Sequence, residues 1–494
     1  MTRTSSQGAS HVPEPEGQLK RGVLGAGGLV FLVVAAAAPL TVMAGIAPLA
    51  LMIGGVGAPV AYLAAGAVLI IFAIAFTRMT KYVSGGGAFY AYIAKGLGRG
   101  WGLVAALLAL VSYNTLQIGV YGLFAAQTQA MLADLFGVNV PWPVVAFVAI
   151  ALVLVIAWLG IDVGVKVLGV LLVLESGILL LMAVGILTSG GASGVDLASF
   201  APSAAFSPGM GGVLAFAFAA FMGFESTALY RREARNPDRT IPRATYFAVG
   251  FMALFYCFIL WTVVVGYGSD QVVGAASENV AGLFFAATET YVGPWAATLM
   301  RLLVISSIYA SQIAFHNAIT RYTHALSEDG VLPAWVGRIH PRYGSPYRAS
   351  VVQTVLAVIV IGGFALVGAD PVTGVLLWVN TPGVVGIVVL QTLTAVACAV
   401  YFLRRNKAAS TPAAVTAAIV SAVLLAVATY VLISNVALLT NAPMSVNVVL
   451  VGIVPATLLV GGVLAVWLRN RRPEVYARVG EGADDTTAKA EVAG

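Results

Sequence analysis

Runs of apolar residues long enough to cross a lipid bilayer, which takes about 20 residues in a helix, recur along almost the whole chain. The pattern predicts about twelve helical spans. Those of the first half are Leu24 to Met52, Pro59 to Phe76, Trp101 to Leu132, Pro143 to Leu159, Val163 to Thr188 and Met210 to Tyr230. Tyr246 to Gly266, Trp295 to Leu326, Ser350 to Val367, Val372 to Phe402, Ala413 to Leu439 and Val446 to Leu468 follow in the second.

Composition puts the same reading on a second footing. Of 494 residues, 60% are hydrophobic and 9% charged, with a mean hydropathy of +0.95, where globular chains carry roughly 25% charge. Lipid is therefore the main solvent. The cations then sort by loop. Arg3, Lys20 and Arg21 precede the first span, and Arg78, Lys81, Lys95 and Arg99 follow the second. Lys166 follows the fourth, Arg231, Arg232, Arg235, Arg239 and Arg243 the sixth, and Arg321, Arg338, Arg342 and Arg348 the eighth. Arg404, Arg405 and Lys407 follow the tenth, and Arg469, Arg471, Arg472, Arg478 and Lys489 the last. Only Arg301, near the start of the eighth span, breaks the pattern, and the alternate loops carry acids such as Asp134, Asp196, Asp270, Glu278 and Asp370. The positive-inside rule places both termini in the cytoplasm, which requires an even number of spans. The net charge of +6 thus reports topology, and a nucleic-acid partner is an unnecessary reading of it.

Other classes of function find no support. Cys257 and Cys398 both fall in spans, so no disulfide framework is implied. The first span lacks a small-residue cleavage site and reads as retained. No GxxxxGK[ST] loop is present to couple ATP hydrolysis. His11, His316, His324 and His340 lack metal-ligand spacing, and no Ser/His/Asp or Cys/His grouping points to an enzyme. No metal and no cofactor is expected. Residues 1–22 and 469–494 read as cytoplasmic tails around a transmembrane domain of residues 23–468, the second tail charged, Ala-rich and disordered.

Polar residues inside the spans are where function is expected. Glu225 sits two residues past Gly223 in FMGFESTALYRREARNPDRTIPR, in an otherwise apolar run ahead of a basic loop. An ionised carboxylate in hydrocarbon costs several kcal/mol, so Glu225 should face a cavity, a backbone terminus or a partner. Glu175, in VLLVLESGILLL, meets the same argument. Tyr113, Asn114 and Gln117 cluster in the third span, where they either line a polar cavity or bond neighbouring helices. Ser306, Ser307, Ser311 and Gln312 make the eighth span polar on more than one face, for function or for packing through small hydroxyls. Asn380 and Thr381, before Pro382, carry a weaker signal. Phe216 and Phe218 read as packing, and Phe221 and Phe224 gain weight by flanking Gly223.

Two spans carry helix breakers. Pro39, in AAAAPLTVMAG, removes a backbone donor in mid-span and should free a carbonyl near Ala35, with Thr41 and Gly45 just beyond. The sixth span opens with Pro208, Gly209, Gly211 and Gly212 and is weakened again at Gly223. Broken helices at corresponding places in two halves are how transporters expose backbone groups to a ligand.

At this point three motifs carry a resemblance. GFESTALYRREARNPDRTIPRAT (Gly223 to Thr245), SGGGAFYAYIAKGLG (Ser84 to Gly98) and FHNAITRYTHALSEDGVLP (Phe315 to Pro333) occur in the order and spacing of a known family. The chain resembles the amino acid–polyamine–organocation permeases. The resemblance implies an all-α membrane protein with a leucine-transporter-like fold. It would have two inverted five-helix repeats, residues 23–190 and 205–405, and two further helices in residues 411–468. Substrate would lie between the first and sixth spans, with the third, eighth and tenth completing the pocket. The residues so placed are Ala38, Pro39, Leu40, Thr41, Gly45, Tyr113, Asn114, Gln117, Phe221, Gly223, Phe224 and Ser307. Coupling or gating would fall to Glu225, Glu175, Ser306 and Ser311. Glu225 matches the family's sixth-helix glutamate, associated with opening and proton response. Glu175, aligned through Gly160, falls where some proton-coupled members carry a lysine in place of a sodium ion.

Two departures stand out. The family's first-helix break is usually a Gly-Ser/Thr-Gly cluster whose amides hold the substrate carboxylate, and AAAAPLTVMAG lacks it. Arg232 and Glu233 stand where two adjacent acids are usual. The implied function is proton-driven import of an amino acid or related amine, a polyamine included, across the cell membrane by symport. Obligate exchange is the alternative, and a non-transporting amine sensor a more distant one. Protons, lipid and the small-molecule substrate are the expected partners, and oligomeric state is left open.

Overall fold

The computed structural model describes residues 25–83, 88–160, 165–232, 234–405 and 410–480. The tail of residues 1–22, Ser84 to Gly87, Glu233, Lys407, the side chains of Lys166 and Arg232, and the tail beyond Gly480 lie outside the described residues.

The described residues form helices joined by turns and no strands, one of the few ways to satisfy backbone N–H and C=O groups where lipid offers no water. The first predicted span is α1 (Ala26–Ala37), a π-helical stretch (Thr41–Ile46) and α2 (Ala47–Gly54). Then come α3 (Ala58–Met79), α4 (Ala88–Leu97), α5 (Arg99–Phe136), α6 (Trp142–Trp158) and α7 (Val165–Ser189). A short α8 (Pro202–Ala205) leads into α9 (Met210–Ala220), followed by a 3-10 segment (Phe224–Arg232) and α10 (Pro237–Tyr267). Two helices that the apolar pattern did not predict, α11 (Val272–Glu278) and α12 (Leu283–Tyr291), fill the next connection. They are too short and too mixed to register as spans. The rest is α13 (Pro294–Glu328), α14 (Tyr347–Leu366), a π-helical stretch (Pro371–Trp378), α15 (Val379–Val400), α16 (Pro412–Ser434), α17 (Val436–Thr440), α18 (Met444–Arg471) and α19 (Pro473–Arg478).

Among the described residues, nine helices are long and apolar enough to cross a membrane. Three more apolar helices, in α1, α6 and α9, are shorter. Two of those three are short because their spans are interrupted. The protein is a multi-pass membrane protein.

α5 runs through the middle, packed on α4, α6, α13, α15 and α18. Its contact with α15 and the π-helical stretch before it is close because Gly119 and Gly122 face Asn380 and Pro371, while Gly383 and Gly386 face Leu116 and Ser112, with no room for a Cβ on either side. Small residues three apart are how membrane helices reach such separations without a hydrophobic drive between them. The outer helices instead present large apolar side chains outward, such as Val148 and Leu152 on α6, Val170 and Val173 on α7, and Leu459 and Val463 on α18.

The structure corrects one further expectation. The C-terminal segment is ordered to Gly480: α18 continues to Arg471 and α19 packs back on it, with Val475 and Val479 buried. Composition missed this because two valines suffice to anchor a six-residue helix already tethered to a span. Pro208, Gly209, Gly211 and Gly212 mark the start of α9, as expected, and interrupt no helix. They allow close approach instead, Gly209 to Ile53 and Gly211 to Asn435.

Candidate functional site

The first interruption is at Ala38, whose φ of 50 puts it in the left-handed region. Proline at 39 cannot donate to the preceding turn and its ring clashes there, so the helix cannot continue. The expected free carbonyl at Ala35 is not found. The left-handed turn swings the Ala38 N–H back onto the carbonyls of Ala35 and Val34, each at 3.1 Å, as a helix C-cap does. What the break frees is on its far side. The chain resumes at Leu40 and passes into a π-helical turn, a geometry that recurs at functional sites.

Glu175 comes to this break from α7 and is 3% exposed. Its carboxylate accepts a hydrogen bond from Ser307 Oγ of α13 at 2.8 Å and lies beside the Leu40 backbone amide. Ser307 Oγ in turn accepts from Thr41 Oγ1 at 3.0 Å. One carboxylate therefore ties α7, α13 and the far side of the first break together.

The second interruption lies between α9 and the 3-10 segment. The last turn of α9 tightens, Phe221 and Met222 bonding three residues back to Phe218 and Ala219. Gly223 then takes φ 108, which a side chain would make costly. The following 3-10 segment runs for nine residues, longer than the three or four usual for that geometry. Glu225, 0% exposed, folds back on this break: the Gly223 N–H donates to its Oε2 at 3.0 Å, and Tyr113 Oη of α5 donates to Oε1 at 2.6 Å.

Both breaks are closed over. Phe221 is fully buried edge-on to Tyr256 and Phe224 edge-on to Phe72, with ring centroids 5.9 and 6.2 Å apart. An open depression lined by Gln129, Asn139, Trp142 and Asp370, between α5, α6 and the turn before Pro371, includes none of these residues.

Of the residues singled out from sequence, Leu40, Thr41, Glu175 and Ser307 meet at the first break, and Tyr113, Gly223 and Glu225 at the second. The others do not join them by hydrogen bonds. Ser306 and Ser311 bond back to carbonyls of their own helix, at Leu303 and Ile308. Asn114 does the same at Leu110. Gln117 donates to the Gln312 carbonyl at 3.2 Å and accepts from Gln353 Nε2, a separate link between α5, α13 and α14. Gly45 serves packing, against Leu123.

Two residues escaped the sequence reading. Tyr322 stacks near Tyr113, centroids 5.7 Å apart, on the side away from the first break. It continues the α13 face that carries Ser307, Ser311 and Phe315, and that helical spacing was its available signal. Tyr256 lies against Phe221 with its hydroxyl buried and unpartnered. Nothing in its apolar surroundings marks it out. Among the described residues no cluster of side chains could hold a metal ion, and the partners of both carboxylates are neutral.

Comparison with known proteins agrees with this architecture. The profile of the amino acid permease family matches residues 28–476. The chain belongs to the amino acid permease family. An uncharacterized transporter of Mycobacterium tuberculosis is 30% identical over 141 residues, which is 28% of this chain and 30% of that protein. A branched-chain amino acid permease of Bacillus subtilis is 23% identical over 322 residues, 60% of this chain and 65% of that protein. A histidine permease of Lactococcus lactis is 26% identical over 221 residues, covering 41% and 46%. The first of these alignments thus spans under a third of that relative, and the wider ones are more distant in sequence.

Proposed function

We propose that this permease imports an amino acid or related amine across the cell membrane by alternating access, driven by protons, with both termini in the cytoplasm. One observation carries the proposal. Each of the two helix interruptions holds a backbone amide, of Leu40 and of Gly223, and a buried carboxylate of the chain itself sits on each. Such amides are what an α-carboxylate needs in a site without a buried cation, because helix ends favour anions. An arriving substrate carboxylate therefore competes with Glu175 or Glu225 for the same donor. A glutamate that loses its amide inside lipid takes up a proton in place of the lost hydrogen bond, since an unpaired charge there is costly. Substrate and proton then favour the same state, which is the requirement for coupling.

Glu175 is the better placed of the two to carry the proton. With its partners it joins three separate elements, α7, α13 and the resumed first span, so neutralising it loosens their mutual attachment. Glu225 is held within its own break and gates it. The ammonium of the substrate would meet carbonyls of the unwound segments, and the Ala38, Pro39 and Leu40 surface fits a small apolar side chain. Named branched-chain permeases among the wider alignments support that preference.

The test is uptake into proteoliposomes under an imposed pH gradient, with leucine, alanine, histidine, lysine and putrescine as substrates. Accumulation that follows the gradient is the expected result. Full-rate transport without a gradient, strictly dependent on internal substrate, would replace import by exchange.

A further inference from the structure

The C-terminal segment that composition assigned to a free tail is docked on the end of the bundle that carries the basic loops. Val475 and Val479 are buried with Leu103 of α5 and Ala465 and Leu468 of α18, and Val331 packs against the cluster. Gly480, at φ 78, lies so close to α4 that a Cβ there would meet the Ala94 Cβ at 2.8 Å. Its N–H donates to Asp329 Oδ2 at 3.3 Å, and the same oxygen accepts from Tyr90 Oη of α4 at 3.4 Å. Asp329 follows directly on α13. One carboxylate oxygen thus joins the tail, α4 and the end of α13.

From Asp329 an unbroken line of contacts runs inward. Tyr90 lies against Tyr322 with centroids 5.9 Å apart, Tyr322 against Tyr113 at 5.7 Å, and Tyr113 Oη bonds Glu225 at 2.6 Å. The tyrosines come from α4, α13 and α5, three helices that have to part if the Glu225 break is to open toward this end. Interactions present only while they are together shift the population toward the closed state.

We propose that residues 473–480 are a latch that holds α4 and the end of α13 closed over the Glu225 break, so that the permease opens at this end only when the segment leaves Asp329. The latch rests on the transport reading for its effect on uptake, though not for its mechanical coupling to the break.

The test uses the full-length protein in lipid nanodiscs and proteoliposomes. Val475→Glu puts a charge into the valine pocket, and Gly480→Val cannot keep its φ or its distance from Ala94. Tyr90→Phe removes one hydroxyl without changing volume, and keeps the test open if the first two fail to fold. Hydrogen–deuterium exchange should quicken in residues 473–480 and also in 88–97, 315–329 and 224–232. Initial uptake should rise several-fold in the first two variants and less in the third. Faster exchange confined to 473–480 overturns the proposal, and so does uptake that is unchanged or lower in a monodisperse variant when the unmutated protein accumulates amino acid. Coupled exchange in a protein that accumulates no amino acid supports the latch and counts against the transport reading alone.

Discussion

The two interrupted spans each seat a buried carboxylate on a backbone amide, yet they are built in opposite ways. At the sixth-span break everything is local. Glu225 reaches the Gly223 amide two residues before it, and among the described residues only Tyr113 comes from elsewhere. At the first-span break nothing is local. Glu175 is on α7, its hydroxyl partner Ser307 on α13, and the amide belongs to Leu40. A local clamp can form or release while the surrounding helices stay put. A clamp spread over three elements cannot, so its protonation state and the arrangement of those helices must change together.

That contrast is sharpest in coupling. With Glu175→Gln, gradient-driven accumulation should fall by the roughly 5–150-fold typical of a coupling free energy, while counterflow in the absence of a gradient persists. Glu225→Gln should slow both processes and leave gradient dependence in place. The reverse outcome, measured by uptake and counterflow in the same liposomes, would exchange the two roles and undo the argument from connectivity.

Stability separates the breaks less strongly. Ser307→Ala deprives both Glu175 and Thr41 of a buried partner, at about 1–3 kcal/mol for each group left unsatisfied. Tyr113→Phe removes one bond from Glu225 and leaves the Gly223 amide in place, so about 1 kcal/mol is expected. Thermal unfolding in detergent should therefore rank Ser307→Ala below Tyr113→Phe, with Ser307→Thr close to the unmutated protein. Equal shifts would mean that the first clamp is no more extended than the second.

The same difference explains what could be read along the chain. The apolar runs reappear as helical segments among the described residues because lipid leaves the backbone few alternatives. Gly223 and Glu225 announced themselves together, since a charge beside a glycine in an apolar run is a feature of a few consecutive residues. Pro39 announced its break too, although Ala38 then satisfied the carbonyl that the proline was expected to free. The link from Glu175 to Ser307 spans 132 positions and that from Thr41 to Ser307 spans 266. Periodicity holds no information on pairings so distant, and only the resemblance to known permeases brought these residues together. Ser306 and Ser311 show the converse failure. A serine bonded back to its own helix and one that bonds a carboxylate are the same letter on neighbouring positions. Tyr322 and the docked α19 were missed because their partners lie on other helices.

Backbone substitution supplies the smallest and most selective contrast. Gly223 at φ 108 and Ala38 at φ 50 both depart from ordinary helical geometry, but only the first is a glycine. An alanine at 223 must occupy a sparsely populated region or move the amide that holds Glu225, at about 1–3 kcal/mol. Ala38 already bears the cost of a left-handed alanine, roughly 1–2 kcal/mol. Ala38→Gly removes that strain and adds unfolded-chain entropy of about 0.4–1 kcal/mol, so the two terms nearly cancel. Gly223→Ala should therefore lower the thermal midpoint by several degrees and slow uptake, while Ala38→Gly moves the midpoint little in either direction. If both substitutions proved equally harmful, Ala38 would be needed for its methyl group, in contact with substrate or a neighbouring helix, and the first break would owe its shape to packing rather than to Pro39.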